Sequence, residues 1–224
     1  MTNSAPAKPP PHWMDAETES AMESEHQFIW RAMIETVDVD LRNTRVLDVG
    51  CSRGGLLRML VDEALVEQGF GYDPAAGSIS VAEERSEGRP LTFAVAEGLP
   101  EGWRDFDVAF SHEVLYLLHD LQAHAADIRR ALRPGGIYYA VMGTHDRNPL
   151  MPAWHRNMSK RLSMPPIYSL DDVVGAFTDA GFESHLSRLR FEFIPTAGHS
   201  GDGELYSWIE YYRRYKLMFR FLKH

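Results

Sequence analysis

Two carboxylates, a glycine-rich turn and two histidines carry most of the chemistry legible in this chain. Asp48 closes the aliphatic run Arg45-Val46-Leu47, and Gly50-Cys51-Ser52-Arg53-Gly54-Gly55 comes just after it, ahead of the apolar run Leu56 to Val61. Strand, tight turn and helix start, in that order, build a crevice at the carboxyl end of a strand. Glycine and serine there let the backbone approach a ligand that a larger side chain would hold off. The charges say which ligand. A dinucleotide fingerprint has three glycines at fixed spacing and rests a pyrophosphate on the helix N-terminus. Here Ser52 stands at the second glycine position and Asp48 sets a carboxylate beside the turn. That arrangement opposes a diphosphate and suits a ligand with an ammonium group and no phosphate.

S-adenosylmethionine is a ligand of that kind, with its amino-acid end and sulfonium centre. The stretch resembles the first motif of class I S-adenosylmethionine-dependent methyltransferases, in which strand residues run into an acid followed by G-x-S/G-x-G. The resemblance implies that Asp48, Gly50, Cys51, Ser52 and Gly54 hold that cofactor, with S-adenosylhomocysteine as product. Gly71-Tyr72-Asp73-Pro74 ends a second short strand near the offset of about 20 residues for a ribose-binding acid. Asp73 can accept from both ribose hydroxyls, with Pro74 beside it; it can equally cap the next helix. The acid supports a ribose without choosing the cofactor.

Phe93-Ala94-Val95-Ala96-Glu97-Gly98-Leu99-Pro100 resembles the family's adenine-binding segment. Val95 stands where that family places an acid, so either Glu97 takes the adenine amine or backbone and apolar contacts hold the ring, with Ala96 giving the backbone N–H room. Phe106 to Leu115 is a fourth strand with Ser111 and His112 at its polar end, and both are assigned to the cofactor. Asp120 caps a helix with Leu121, Ala125, Ile128 and Leu132 at helical spacing. Arg133-Pro134-Gly135-Gly136 ends it, and Ile137 to Met142 is a buried strand. The family resemblance carried by this ordered series implies an α/β, Rossmann-like, doubly wound sheet of seven mixed strands, the last antiparallel and inserted beside strand six, with helices on both faces.

A sulfonium methyl is already activated, so catalysis is mainly placement of a nucleophile and exclusion of water. A base matters where the nucleophile is protonated. His112, after the fourth strand, and His145, after the fifth, are the candidate bases, and Glu113 is placed to orient His112 or raise its pKa. Alternatively, His112 contacts the cofactor or only caps the strand. Tyr116, Trp154 and Tyr168 are candidate acceptor walls. His119 and His124 are expected on a different face from the strand ends. No metal is expected, because the paired acidic and amide ligands of metal-dependent catechol-type relatives are missing.

Elements outside the motifs must choose the acceptor. Residues 1–13 are expected to be a disordered tail and 14–224 a single domain, with a helical cap over 14–40 and a lid inserted at 144–168. The cap's helix, about Ala16 to Thr36, has an apolar face, with His26 and Trp30 the positions to test. In the lid, Pro152 precedes Trp154, Met158 and Leu162 at four-residue spacing, and Arg156, Lys160 and Arg161 occupy the other side. They either pair with a substrate carboxylate or form a solvated face. Ser169 to Asp172 has capping-box spacing. Phe182 to Ile194 reads as a strand, about Glu204 to Arg213 as a helix, and Tyr215 to Leu222 as a half-exposed terminal strand.

The 224 residues are 44% hydrophobic with a formal net charge of −9, enough for one sizeable core and adverse to broad nucleic-acid binding. Cys51 is the single cysteine, which excludes an internal disulfide. No run of about 20 apolar residues suggests a membrane span, and no apolar signal core opens the chain. The expectation is a cytoplasmic monomer or homodimer that methylates O or N of a small-molecule acceptor in specialised metabolism. A NAD-dependent oxidoreductase and a non-catalytic cofactor-binding protein are the alternatives.

Overall fold

The computed structural model describes residues 16–63, 66–160, 162–196 and 205–224. The expected tail, residues 1–13, and Arg161 lie outside them. The first elements are α1 (Ala16–Thr36), β1 (Arg45–Val49), α2 (Gly55–Asp62), β2 (Gln68–Asp73), α3 (Ala76–Arg85), β3 (Leu91–Val95) and β4 (Phe106–His112). They are followed by α4 (Leu121–Ala131), β5 (Leu132–Gly143), α5 (Met151–Ser159), α6 (Leu170–Asp179), β6 (Phe182–Arg188), α7 (Leu205–Glu210) and β7 (Lys216–Lys223).

All seven strands form one sheet in the order β3-β2-β1-β4-β5-β7-β6. Neighbours from β3 to β5 are parallel, and β7 runs antiparallel to both β5 and β6. Alternate strand residues feed two cores. Leu47, Ala109, Tyr138 and Phe219 pack with α4 and α6, while Val46, Val108, Tyr139 and Met218 pack with α1 and α2. Strand order reverses between β1 and β4, which opens a crevice at their carboxyl ends.

Local signals set several boundaries. The Asp120 side chain accepts from the Ala123 amide at 2.8 Å and starts α4. Ser169 and Asp172 form a reciprocal capping box at α6, with Asp doing the work of the usual Glu. Pro152 sits in the first turn of α5, where its missing N–H costs nothing.

Four sequence expectations need correction. The turn at 133–136 lies within β5: Leu132 pairs with Phe106, Ile137 with Val108, and the register shifts between them around Gly135 at φ 76°. Strand β6 stops at Arg188 rather than Ile194, because Arg188 pairs with Leu217 and β7 begins one residue before that. Helix α7 ends at Glu210, and Tyr211–Tyr215 continues as a π-helical turn. The expected first residue of that helix, Glu204, lies outside the described residues. Finally, β7 is not half-exposed. It lies between β5 and β6, so both its faces are covered and Lys216 is buried with Leu217 and Phe219.

Candidate active site

A cavity of about 1080 Å³ opens where β1, β2 and β4 end. Its first half is built by the turn after β1. Gly50 and Cys51 both donate to the Tyr72 carbonyl, at 2.9 and 3.1 Å, folding the turn back on β2. Gly50 has φ 68°, and a Cβ there would come within 2.5 Å of Val114 Cγ2; only glycine fits. Ser52, itself at φ 46°, donates its amide to Asp73 Oδ2 at 3.0 Å, and Ala75 donates to Oδ1 at 2.9 Å. Asp73 thus has both oxygens anchored to backbone while still lining the cavity with Pro74.

Asp48 is only 4% exposed. Burial first, and then the Asp73 charge, push its carboxyl well above the usual range. A cation bound beside it would favour its charged form. Arg53, buried and lining the same turn, was missed from sequence, because the motif leaves its position unspecified.

Three expected cofactor contacts lie elsewhere. Gly54 caps α2 at φ 71° against Phe93 and does not line the cavity. Ala96 does not line it either, and its amide donates to the Asp73 carbonyl at 3.1 Å. Ser111 is 0% exposed, and its hydroxyl lies 2.6 Å from the Tyr138 hydroxyl, because strand alternation turns it into the core. Glu97 and Gly98 do line the rim. Val95 is 55% exposed, but a carboxylate from another element, Asp127 of α4, lines that end and accepts from the Leu99 amide at 3.5 Å.

The second half of the cavity is aromatic. His145 lies between Tyr116, at 4.2 Å between ring centroids, and Trp154, at 5.3 Å. Burial is the main reason its pKa is lowered. Met151, Trp208, Tyr211 and Tyr212 extend the wall from α5 and the C-terminal segment. His26 and Trp30 of α1 also line the cavity. Tyr168 does not; its hydroxyl donates to the Leu118 carbonyl at 2.8 Å. Arg156 and Lys160 are exposed on the outer side of α5 and take no part in the lining.

Glu113 does not serve His112 as expected. It sits just past β4 at φ 60°, an uncommon conformation for a side-chain-bearing residue. Its Oε1 accepts from Lys216 Nζ, from the Gly143 amide at 3.1 Å and from the Tyr211 hydroxyl at 3.3 Å. Burial pushes the Glu113 carboxyl up, but the Lys216 ammonium and its hydrogen bond outweigh it and leave the group below the usual range. His112 instead meets His26 edge-on, with ring centroids 4.6 Å apart. Its Nε2 is buried without a hydrogen-bond partner, and burial, followed by the Lys216 charge, lowers its pKa well below the ordinary value. His119 and His124 line the same cavity rather than another face, yet His119 Nε2 contacts the Ser163 carbonyl at 3.0 Å and His124 Nε2 the Tyr138 hydroxyl at 3.1 Å. Among the described residues, no group of three or more metal-ligating side chains gathers.

Residues 47–140 match the family described as "Methyltransferase domain". Those residues are a methyltransferase domain. The chain is 32% identical over 113 residues to a malonyl-[acyl-carrier protein] O-methyltransferase of Hahella chejuensis, covering 49% of this chain and 40% of that one. It is 26% identical over 178 residues to O-methyltransferase rstn1 of Aspergillus nomiae, covering 77% and 78%. In three dimensions it resembles a chain from the complex between the Haloferax volcanii Trm112 methyltransferase activator and a methyltransferase, with a TM-score of 0.79, 24% identity, and 93% and 95% of the two chains covered. The chain therefore spans less than half the length of the Hahella relative it matches.

The cavity fits S-adenosylmethionine on its own chemistry. Gly50 leaves the backbone bare beside Asp48 and Asp73, and Arg53 lines the same turn, where a guanidinium would suit the carboxylate of an amino-acid end. Eight carboxylate side chains line the cavity against two permanent cations, Arg53 and Lys216. That balance favours a sulfonium and opposes a pyrophosphate.

Proposed function

We propose that the domain transfers a methyl group to an oxygen or nitrogen atom of a small, largely apolar acceptor. The observation that carries this reading is the continuity of the cavity: the polar turns after β1 and β2 open directly into the aromatic chamber beneath α5. S-adenosylmethionine, when bound, supplies an electrophilic methyl carbon on a sulfonium. The protein's own task is to position, to exclude water and to take one proton.

In this reading Asp73 and the Ser52 turn would hold the ribose, Asp48 and Arg53 the amino-acid end, and Glu97 with Gly98 the adenine. Trp154, Met151 and Tyr212 enclose the acceptor and shed water. A bound S-adenosylmethionine would supply the methyl group and leave as S-adenosylhomocysteine, and the proton shed by the acceptor heteroatom would need a base in the chamber. Neutral His145, already against the chamber wall, accepts that proton. His112 does so only when the His26 ring moves off it, since its Nε2 is covered.

The test is to incubate the full chain with methyl-labelled S-adenosylmethionine and a small-molecule extract, followed by mass spectrometry. Label on a low-mass product, with thermal stabilisation by S-adenosylhomocysteine and none by NAD, is the expected result. Stabilisation by NAD alone would return the oxidoreductase alternative.

A further inference from the structure

We infer that Glu23 is a positioning residue for the cofactor: it pins α1 across the turn after β1, and its ion pairs must open for the cofactor to exchange. The inference rests on the S-adenosylmethionine reading of the cavity and concerns how that ligand is admitted and kept.

Glu23, His26 and Trp30 recur at helical spacing on α1, and all three line the cavity. Glu23 and Trp30 lie against the start of α2. A Cβ added to Gly55 would fall 2.5 Å from Trp30 Cη2 and 3.1 Å from Glu23 Oε1, so the bare backbone of Gly55 lets α1 settle directly on the turn. One helical turn further along, His26 meets His112 at the end of β4. A single face of α1 thus reaches from the cofactor turn to the neighbouring strand end.

Charge fixes the helix there. Glu23 Oε1 accepts from Arg58 Nη2, and Oε2 accepts from Arg85 Nη1 at 2.8 Å. Both carboxylate oxygens are therefore held, one by α2 and the other by α3. The Glu23 and Arg58 side chains are only 16% and 13% exposed, so salt screens this pair less than one on an open surface. Arg58 has a second contact. Its Nη1 donates to the Arg53 carbonyl within the cofactor turn. One guanidinium joins the backbone that receives the ligand to the helix lying over it, which is the arrangement of a lid held shut from below.

Surface plasmon resonance of S-adenosylhomocysteine on the immobilised full chain tests this, with amide hydrogen exchange across α1 as a second readout. Glu23→Gln is expected to raise both association and dissociation rates about five-fold, the upper worth of one partly exposed ion pair. Arg85 is 42% exposed and does not line the cavity, so Arg85→Gln should give a smaller acceleration alone and none in a Glu23→Gln background. Saturating S-adenosylhomocysteine should slow exchange across α1 in the wild type, and less so in Glu23→Gln. Wild-type rates in Glu23→Gln, or a change confined to release, would mean that Glu23 is no latch and would overturn the inference. So would an Arg85→Gln effect that is absent or that persists without Glu23, or an α1 whose exchange ignores the ligand. Should Glu23→Gln not fold, Arg85→Gln decides alone: faster exchange of the ligand upholds the inference and unchanged rates overturn it. Failure of S-adenosylhomocysteine to bind the wild type would instead remove the cofactor reading beneath it.

Discussion

Glu113 and Lys216, 103 positions apart in the chain, meet as a buried ion pair at the point where β4, β5 and β7 converge on the cavity. The contact closes the wall of the chamber, because the same carboxylate oxygen also takes the Gly143 amide and the Tyr211 hydroxyl. Burial lowers the Lys216 pKa and the Glu113 charge opposes that shift.

Removing one partner strands the other charge in the interior. Lys216→Met is expected to destabilise the fold by about 3–5 kcal/mol, whereas the double change with Glu113→Gln should recover most of that loss. Urea unfolding of both variants is the check. A Lys216→Met protein that unfolds at the wild-type midpoint would mean that the pair is open to water.

Asp73 is anchored through Ser52 and Ala75, so its carboxylate is pre-aimed before any ligand arrives. Asp73→Ala should weaken S-adenosylhomocysteine binding by about 10- to 100-fold, the worth of one or two hydrogen bonds to a charged group. Calorimetry that finds unchanged affinity would leave Asp73 only its role in holding the turn.

The parts of this site set by neighbouring residues were legible in the sequence, and the parts set by distant strands were not. The turn after Asp48, the Asp120 cap and the Ser169 capping box each depend on residues a few positions apart. Lys216 shows the opposite case. Its alternation with Leu217 resembles a solvent-facing strand, and only the insertion of β7 between β5 and β6 reverses that. Ser111 and His112 are adjacent on one strand and so face opposite ways. The motif named both, and the pleat allows only one to reach the cavity. The π-helical turn at Tyr211–Tyr215, a feature often found at functional sites, has no signature in the Tyr-Tyr-Arg-Arg-Tyr run.

Gly50 is irreplaceable for two independent reasons, its positive φ and the approach of Val114 to within 2.5 Å of any added Cβ. Gly50→Ala should cost about 1–2 kcal/mol from backbone conformation alone, before the steric clash. Adding Val114→Ala relieves the second term and not the first. Thermal melts of the single and double variants should therefore show partial rescue; complete rescue would show that the backbone term is negligible.

His124 gives the fold a pH response of predictable sign. Its pKa is lowered to about 4, chiefly by burial, with Asp127 opposing, and the ring contacts the Tyr138 hydroxyl. The unfolded chain binds the proton more readily, so this residue's share of stability is whole above about pH 6.5 and is lost as the pH falls toward 4. At full titration it removes about 3 kcal/mol. His26, likewise lowered to about 4, acts in the same direction. Asp48 acts in the opposite direction, because its raised pKa makes the folded state bind a proton more tightly as the pH falls. The informative measurement is thus the difference between the wild type and His124→Gln in urea unfolding at pH 7 and at pH 4.5. The gap between the two proteins should narrow on acidification, since the variant has no imidazole to charge; a constant gap would mean that His124 titrates alike in the folded and unfolded chain.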